Sequence, residues 1–162
     1  MTSIEEIIRI ALEAHEGQKD LDGNPAILHV LSVGLMGETE MEQKVGFLHD
    51  VVEDTDITID DLRARGVEEE VLEAVDLLTH REGITYEDYV RNILNSGNQT
   101  AIQVKVNDLH QNEQRMEKTL WKLVSEENPD NERLDMFLAI EKKHTWAQMF
   151  FDDNRGPFPA AN

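Results

Sequence analysis

Apolar and polar positions alternate along this chain with a period near 3.6 and almost nowhere with period 2. Ile4, Ile7, Ile8, Ala11, Leu12 and His15 recur at helical spacing behind Ser3 and Glu6, which have the form of a capping box. Gly17 ends this first helix, and Asp20-Leu21-Asp22-Gly23-Asn24-Pro25 reads as a loop. A short helix over 27–36 follows. Val45, Leu48, Val51 and Val52 predict another over 40–53. Thr58 with Asp61 opens a short helix closed at Gly66, and Val67, Val71, Ala74, Val75 and Leu78 form the stripe of the next. Thr85 caps a helix carrying Tyr86, Tyr89, Val90, Ile93 and Leu94. After Gly97 comes a long helix over 99–125. A last helix over 131–151 is expected to bury Leu134, Phe137, Leu138 and Trp146. Residues 152–162, with Gly156, Pro157 and Pro159, have no period and read as an irregular tail. The pattern predicts an all-α fold with one domain over 1–151.

A chain of 162 residues is long enough for one hydrophobic core. Its 15 basic against 34 acidic residues, a net charge of -19, argue against sequence-independent nucleic-acid binding, which needs clustered Lys and Arg. They also argue against docking on anionic lipid. There is no cysteine, so a thiolate metal site, a disulfide frame and a Cys nucleophile are excluded. The acidic N-terminus is no secretory signal and no apolar run reaches a membrane span, so a cytoplasmic protein is expected. A small phosphorylated substrate fits this charge only where a bound cation reverses the local field.

Chemistry concentrates in Leu48-His49-Asp50-Val51-Val52-Glu53-Asp54-Thr55. On a continuous helix His49 would lie over Glu53 and Asp50 over Asp54, with the adjacent pair about 100° apart, gripping a metal from two sides of a groove. The bland alternative is the solvated end of an acidic helix. Against it stand Val45, Phe47, Leu48, Val51 and Val52, which mark a buried helix, and buried carboxylates need a partner that one cation supplies. On the long helix, Ala101, Lys105, Asp108 and Asn112 form a second stripe. It is either a solvated face or one carrying a metal ligand in Asp108, a substrate contact in Asn112 and a compensating charge in Lys105. His29 follows the loop at the start of a helix, where a lone His is more often structural. His15 is expected to be structural and His80 and His144 to be surface residues. His110, about 200° from Asp108, should turn away from it.

The ordered set Ala14-His15-Glu16-Gly17-Gln18-Lys19, Gly23-Asn24-Pro25 with His29, Leu48 through Thr55, Leu77-Leu78-Thr79, and Val104-Lys105-Val106-Asn107-Asp108 with Asn112 resembles the HD phosphohydrolase superfamily. Within it, the set resembles the hydrolase domain of the RelA/SpoT alarmone enzymes and their stand-alone small relatives, from about residue 5 to 125. The resemblance implies an HD-domain helical bundle. It implies a divalent metal, usually Mn2+, on His29, His49, Asp50 and Asp108, and Glu53 and Asp54 handling the attacking water. It implies a nucleotide-like substrate met by Asn112, and removal of pyrophosphate from the 3′ position of (p)ppGpp. Lys105 and Lys19 are further substrate-binding candidates, Lys105 either steadying the leaving phosphate or pairing with a carboxylate.

Three positions depart from the resemblance. Asp20 and Leu21 stand where related hydrolases carry basic residues credited with packing on guanine, Ala26 replaces an aromatic residue, and Leu109 replaces an Arg. The metal and water machinery is unaffected; base recognition is not. Two alternatives therefore stay open: an HD hydrolase of another nucleotide or phosphorylated metabolite, and a catalytically silent metal-binding regulatory domain.

Overall fold

The structure, a computed structural model, describes residues 1–154. Among them lie nine helices: α1 (Ile4–Ala14), α2 (Ile27–Leu35), α3 (Glu40–Leu48), α4 (Val51–Asp54), α5 (Ile59–Ala64), α6 (Glu69–Leu78), α7 (Tyr86–Asn95), α8 (Gln99–Val124) and α9 (Asn131–Asn154). Their only β pairing is an isolated bridge between Lys19 and Pro25. No described helix is long and apolar enough to cross a membrane.

Most helix starts follow from short polar side chains that accept otherwise orphaned amides. Thr39 accepts from Glu42 N, Thr85 from Asp88 N, and Thr58 forms a complete capping box with Asp61. At α1 only half of the expected box forms. Ser3 Oγ accepts from Glu6 N, while the Glu6 carboxylate pairs with Arg65 and Arg9.

The helix expected over 40–53 is broken. α3 stops at Leu48, Asp50 sits at φ -98, ψ -5, and α4 starts at Val51. The Gly46 carbonyl, the acceptor that a continuous helix would offer to Asp50 N–H, takes the His49 Nδ1–H at 2.7 Å. The break falls directly after the His49-Asp50 pair, so both side chains stand at the end of α3.

The chain divides into two compact units, Met1–Asp108 and the remainder from Leu109. In the first, α3 is the hub: it packs on α1, α2 and α6, with α5 and α7 against α6. Its core includes Ile7, Ile10, Val33, Val45, Leu48, Leu72, Val75, Val90 and Ile93, each at most 1% exposed. Two glycines let α2 and α3 touch backbone to backbone. A Cβ on Gly46 would stand 2.8 Å from Gly34 Cα, and one on Gly34 only 2.1 Å from the Phe47 ring.

In the second unit Met116, Leu123 and Phe137 form a core with Leu120, Leu134 and Ile140 against it. Here the expected stripe of α9 is corrected. Phe137, Ala147 and Phe151 are buried, whereas Leu138 is 44% and Trp146 37% exposed. Each of the latter lies one residue, about 100°, off the buried line. α9 also runs three residues past its expected end, through Asn154; the rest of the expected tail lies outside the described residues.

Candidate metal centre

His29 is delivered by the turn after α1. Gly17 and Gly23 adopt positive φ, and Asp20 Oδ1 accepts from the amides of Asp22 and Asn24, each at 2.9 Å. Asp20 is thus a structural part of the loop, which returns the chain to Pro25 and starts α2 two residues before His29. His49 and Asp50 come from the α3–α4 break and Asp108 from α8.

Four side-chain atoms meet. His29 Nε2 is 3.0 Å from Asp108 Oδ1 and 3.6 Å from Asp50 Oδ2; His49 Nε2 is 3.1 Å from Asp50 Oδ2 and 3.7 Å from Asp108 Oδ1. Donors bound about 2.1 Å from one ion stand roughly 3.0 Å apart at right angles and roughly 3.4 Å apart in a tetrahedron. One atom each of His29, His49 and Asp50 lies within 4.8 Å of the others, a grouping that could hold one small cation, and Asp108 faces both imidazoles. The donor set of two imidazoles and two carboxylates, without thiolate, suits a borderline divalent ion. The histidine geometry supports the fit. His49 is 3% exposed and donates its Nδ1–H to Gly46, so Nε2 is the ring nitrogen turned to Asp50 and Asp108, where a cation would replace the proton that the two carboxylates favour.

The charges agree. Burial alone would lower the His49 pKa, but the facing Asp50 and Asp108 outweigh it and raise it well above the ordinary range. Burial would raise Asp108, yet Lys105 and the two histidines hold it well below the usual carboxylate range. Asp50 is likewise lowered, burial being outweighed chiefly by His49. Each group is thus set to receive positive charge. Lys105, 8% exposed, donates to Asp108 Oδ2 at 2.8 Å and lies 5.1 Å from the centre of the Tyr89 ring and 6.0 Å from that of Tyr86. With one oxygen held by this ammonium, Asp108 presents the other to the two imidazoles.

Glu53 and Asp54 stand on α4 and line a cleft of about 520 Å³ with Glu13, Gln18 and Asp56. Both are exposed as residues, but enclosure of their carboxyl ends, with Asp50 nearby, raises both pKa values; Asp54 is pushed up to about 6. A second cleft, also about 520 Å³, shares Glu13 and Gln18 and includes His15, Lys19 and Ile27. Gln18 joins them: its Oε1 meets His15 Nδ1 at 2.8 Å and its Nε2 donates to the Asp54 carbonyl at 2.9 Å. His15 is buried, as a structural residue should be. Lys19 is exposed at the cleft edge, His110 is exposed, and Asn112 lies on α8 one turn beyond Asp108, in the second unit.

His80 is more than the surface residue expected from the sequence. Its ring stacks on Tyr89 with centroids 4.7 Å apart, Nε2 meets the Ile84 carbonyl at 2.6 Å, and its backbone N–H donates to Glu53 Oε2 at 2.7 Å. No side-chain pattern reveals a contact made by the main chain; the one available signal was a polar cluster of Thr79 to Arg81 directly after an apolar helix.

No protein-family model matches the chain. Over 58 residues it is 41% identical to the putative chloroplastic GTP diphosphokinase RSH1 of Oryza sativa subsp. japonica, a match covering 33% of this chain and 6% of that protein. Over 83 residues it is 34% identical to guanosine-3′,5′-bis(diphosphate) 3′-pyrophosphohydrolase of Vibrio cholerae, covering 49% of this chain and 12% of that protein. The chain thus spans a small part of the length of these curated relatives. Among solved structures it matches, with a TM-score of 0.65 and 21% identity over 94% of each chain, a protein described as a metazoan ortholog of SpoT that hydrolyzes ppGpp. The chain has that protein's all-α fold.

Proposed function

We propose that this chain is a metal-dependent phosphohydrolase that removes pyrophosphate from the 3′ position of ppGpp or a closely related nucleotide. The observation that carries the reading is the convergence of His29 Nε2, His49 Nε2, Asp50 Oδ2 and Asp108 Oδ1 beside an acidic pair lining an open cleft. The shared fold and the matched segments of RelA/SpoT-type enzymes supply the reaction class.

Two carboxylates face Lys105 and two imidazoles at the centre. A divalent cation, Mn2+ by this reading, would displace the proton from His49, make the local field positive, supply an acidified water and polarise a phosphoryl oxygen. The four donors would hold it, with the His49–Gly46 bond fixing one imidazole and the Lys105–Asp108 bond fixing one carboxylate. Glu53 and Asp54 orient the attacking water and take its proton. A carboxyl titrating near 6, as Asp54 does, is a competent acceptor near neutrality. Lys19 at the cleft edge and Asn112 on α8 are assigned to the substrate.

One observation favours a second substrate. The loop between Gln18 and Pro25 carries no cation besides Lys19, and Asp20 is bonded within it. A nucleotide other than a guanosine tetraphosphate, or another phosphorylated metabolite, fits that loop better. The test is turnover of ppGpp, NADPH and nucleoside phosphates by the purified protein with Mn2+. Release of pyrophosphate from ppGpp is the expected result. Turnover of another member alone assigns the second substrate. Metal binding without any turnover, unchanged when Glu53 and Asp54 are replaced by Gln and Asn, would show a silent metal-binding domain and sink the proposal.

A further inference from the structure

α6 ends at Leu78, and Thr79 turns the chain extended at φ -83, ψ 109. The next amide, that of His80, therefore leaves the helix ladder without a helical acceptor. It donates to Glu53 Oε2 at 2.7 Å. Both sides of this amide are anchored. On the near side, Tyr89 Oη donates to the Leu78 carbonyl at 2.7 Å, and Thr79 Oγ1 donates to the Val75 carbonyl at 2.9 Å. On the far side, the His80 ring lies flat on Tyr89, 4.7 Å between centroids and 16° between planes, and its Nε2 meets the Ile84 carbonyl at 2.6 Å. Tyr89 is 6% exposed and fixed in α7, so it serves as a rigid platform for the ring.

We propose that His80 is a positioning residue: its ring, clamped between Tyr89 and the Ile84 carbonyl, fixes the backbone amide that holds one oxygen of Glu53 and leaves the other for the attacking water. The proposal rests on the hydrolase reading above for its kinetic consequences and on the local geometry alone for its structural ones. A carboxylate on a four-residue helix such as α4 has little scaffold of its own. One fixed donor removes much of its rotational freedom, and a small misplacement of a water-handling group costs rate rather than binding. The same Tyr89 ring lies under Lys105, which holds Asp108. One aromatic platform thus supports the acidic pair and a metal ligand from behind.

The test compares His80→Ala and His80→Phe with the wild type in the full chain. The alanine variant loses the stack and the Ile84 bond; phenylalanine keeps the stack. His80→Ala is expected to lose about tenfold or more in kcat, with KM and Mn2+ affinity within about twofold of wild type. The backbone donor stays in His80→Ala but is no longer held in place, so it favours the ionised form less; the Glu53 pKa rises and the acid limb of the kcat profile moves to higher pH. His80→Phe restores most of the rate. Wild-type kcat and acid limb in His80→Ala would overturn the proposal, and so would a parallel fall in Mn2+ affinity or a His80→Phe as slow as His80→Ala. Should the wild type turn over no member of the substrate panel, the hydrolase reading fails and a second readout decides this one. Titration of the Glu53 carboxyl by carbon NMR in metal-free protein should shift upward in His80→Ala, and an unmoved titration would overturn it.

Discussion

The Lys105–Asp108 contact shows how this site sets its chemistry one side chain at a time. Lys105 Nζ is almost wholly enclosed and has Asp108 and two tyrosine rings around it. Removing one member of a buried pair strands the other, a cost of roughly 3 kcal/mol or more. Lys105→Met should therefore lower the stability of the metal-free protein by about 3 kcal/mol in urea unfolding, and an unchanged midpoint would mean that Asp108 is already neutralised by the histidines. Asp54 gives a second residue-level prediction, of opposite sign to the usual carboxylate. It titrates near 6 when folded against 3.8 ordinarily, so between these values the folded state holds the extra proton. Stability then falls as pH rises through that window. In metal-free protein, Asp54→Asn should gain on the wild type from about pH 4 to about pH 7, read from unfolding curves at the two ends. A constant difference between the two proteins would refute the raised pKa.

At the scale of helices, the site depends on how closely α2 and α3 approach, because His29 starts one and His49 ends the other. Gly34 and Gly46 set that approach, and the ring centroids of His29 and His49 end up 5.2 Å apart. Gly46→Ala would drive a methyl group into the Gly34 backbone, which has no flexible end to yield. The expected cost is about 1–3 kcal/mol from overpacking, with a weaker Mn2+ affinity as the helices separate. Isothermal titration separates the two effects, and wild-type affinity in a destabilised protein would show that the helices tolerate the shift. The sequence made much of this level legible: Thr58 and Thr85 announced their helices, since caps are local chemistry. It hid the α3–α4 break, because Val45, Leu48, Val51 and Val52 continue the helical stripe across it while the His49 Nδ1–Gly46 bond ends the helix. Ordered motifs point to His29, His49, Asp50 and Asp108 as one set, and the structure places their side chains near one another. No motif points to His80, since its contribution to Glu53 comes from the main chain.

Across the whole molecule, the net charge of -19 opposes any phosphorylated substrate. Enzymes that attract anions through basic patches slow as salt screens the attraction. Here the long-range term is repulsive, and the cleft beside Glu53 and Asp54 is lined by further acids in Glu13 and Asp56. A cation held by the His29, His49, Asp50 and Asp108 side chains would offer local positive charge, and it would act at contact distance, where salt screens least. Between about 0.01 M and about 0.15 M salt the screening length shrinks from about 30 Å to about 8 Å. At saturating Mn2+, kcat/KM for an anionic nucleotide should therefore rise across this range rather than fall, while kcat stays flat. Lys19 is a cation of the neighbouring cleft, which shares Glu13 and Gln18 with the cleft beside Glu53 and Asp54, so Lys19→Glu should steepen the rise by deepening the repulsion that salt relieves. A fall with salt in the wild type would mean that the substrate approaches through a local positive field, and would refute the long-range repulsion.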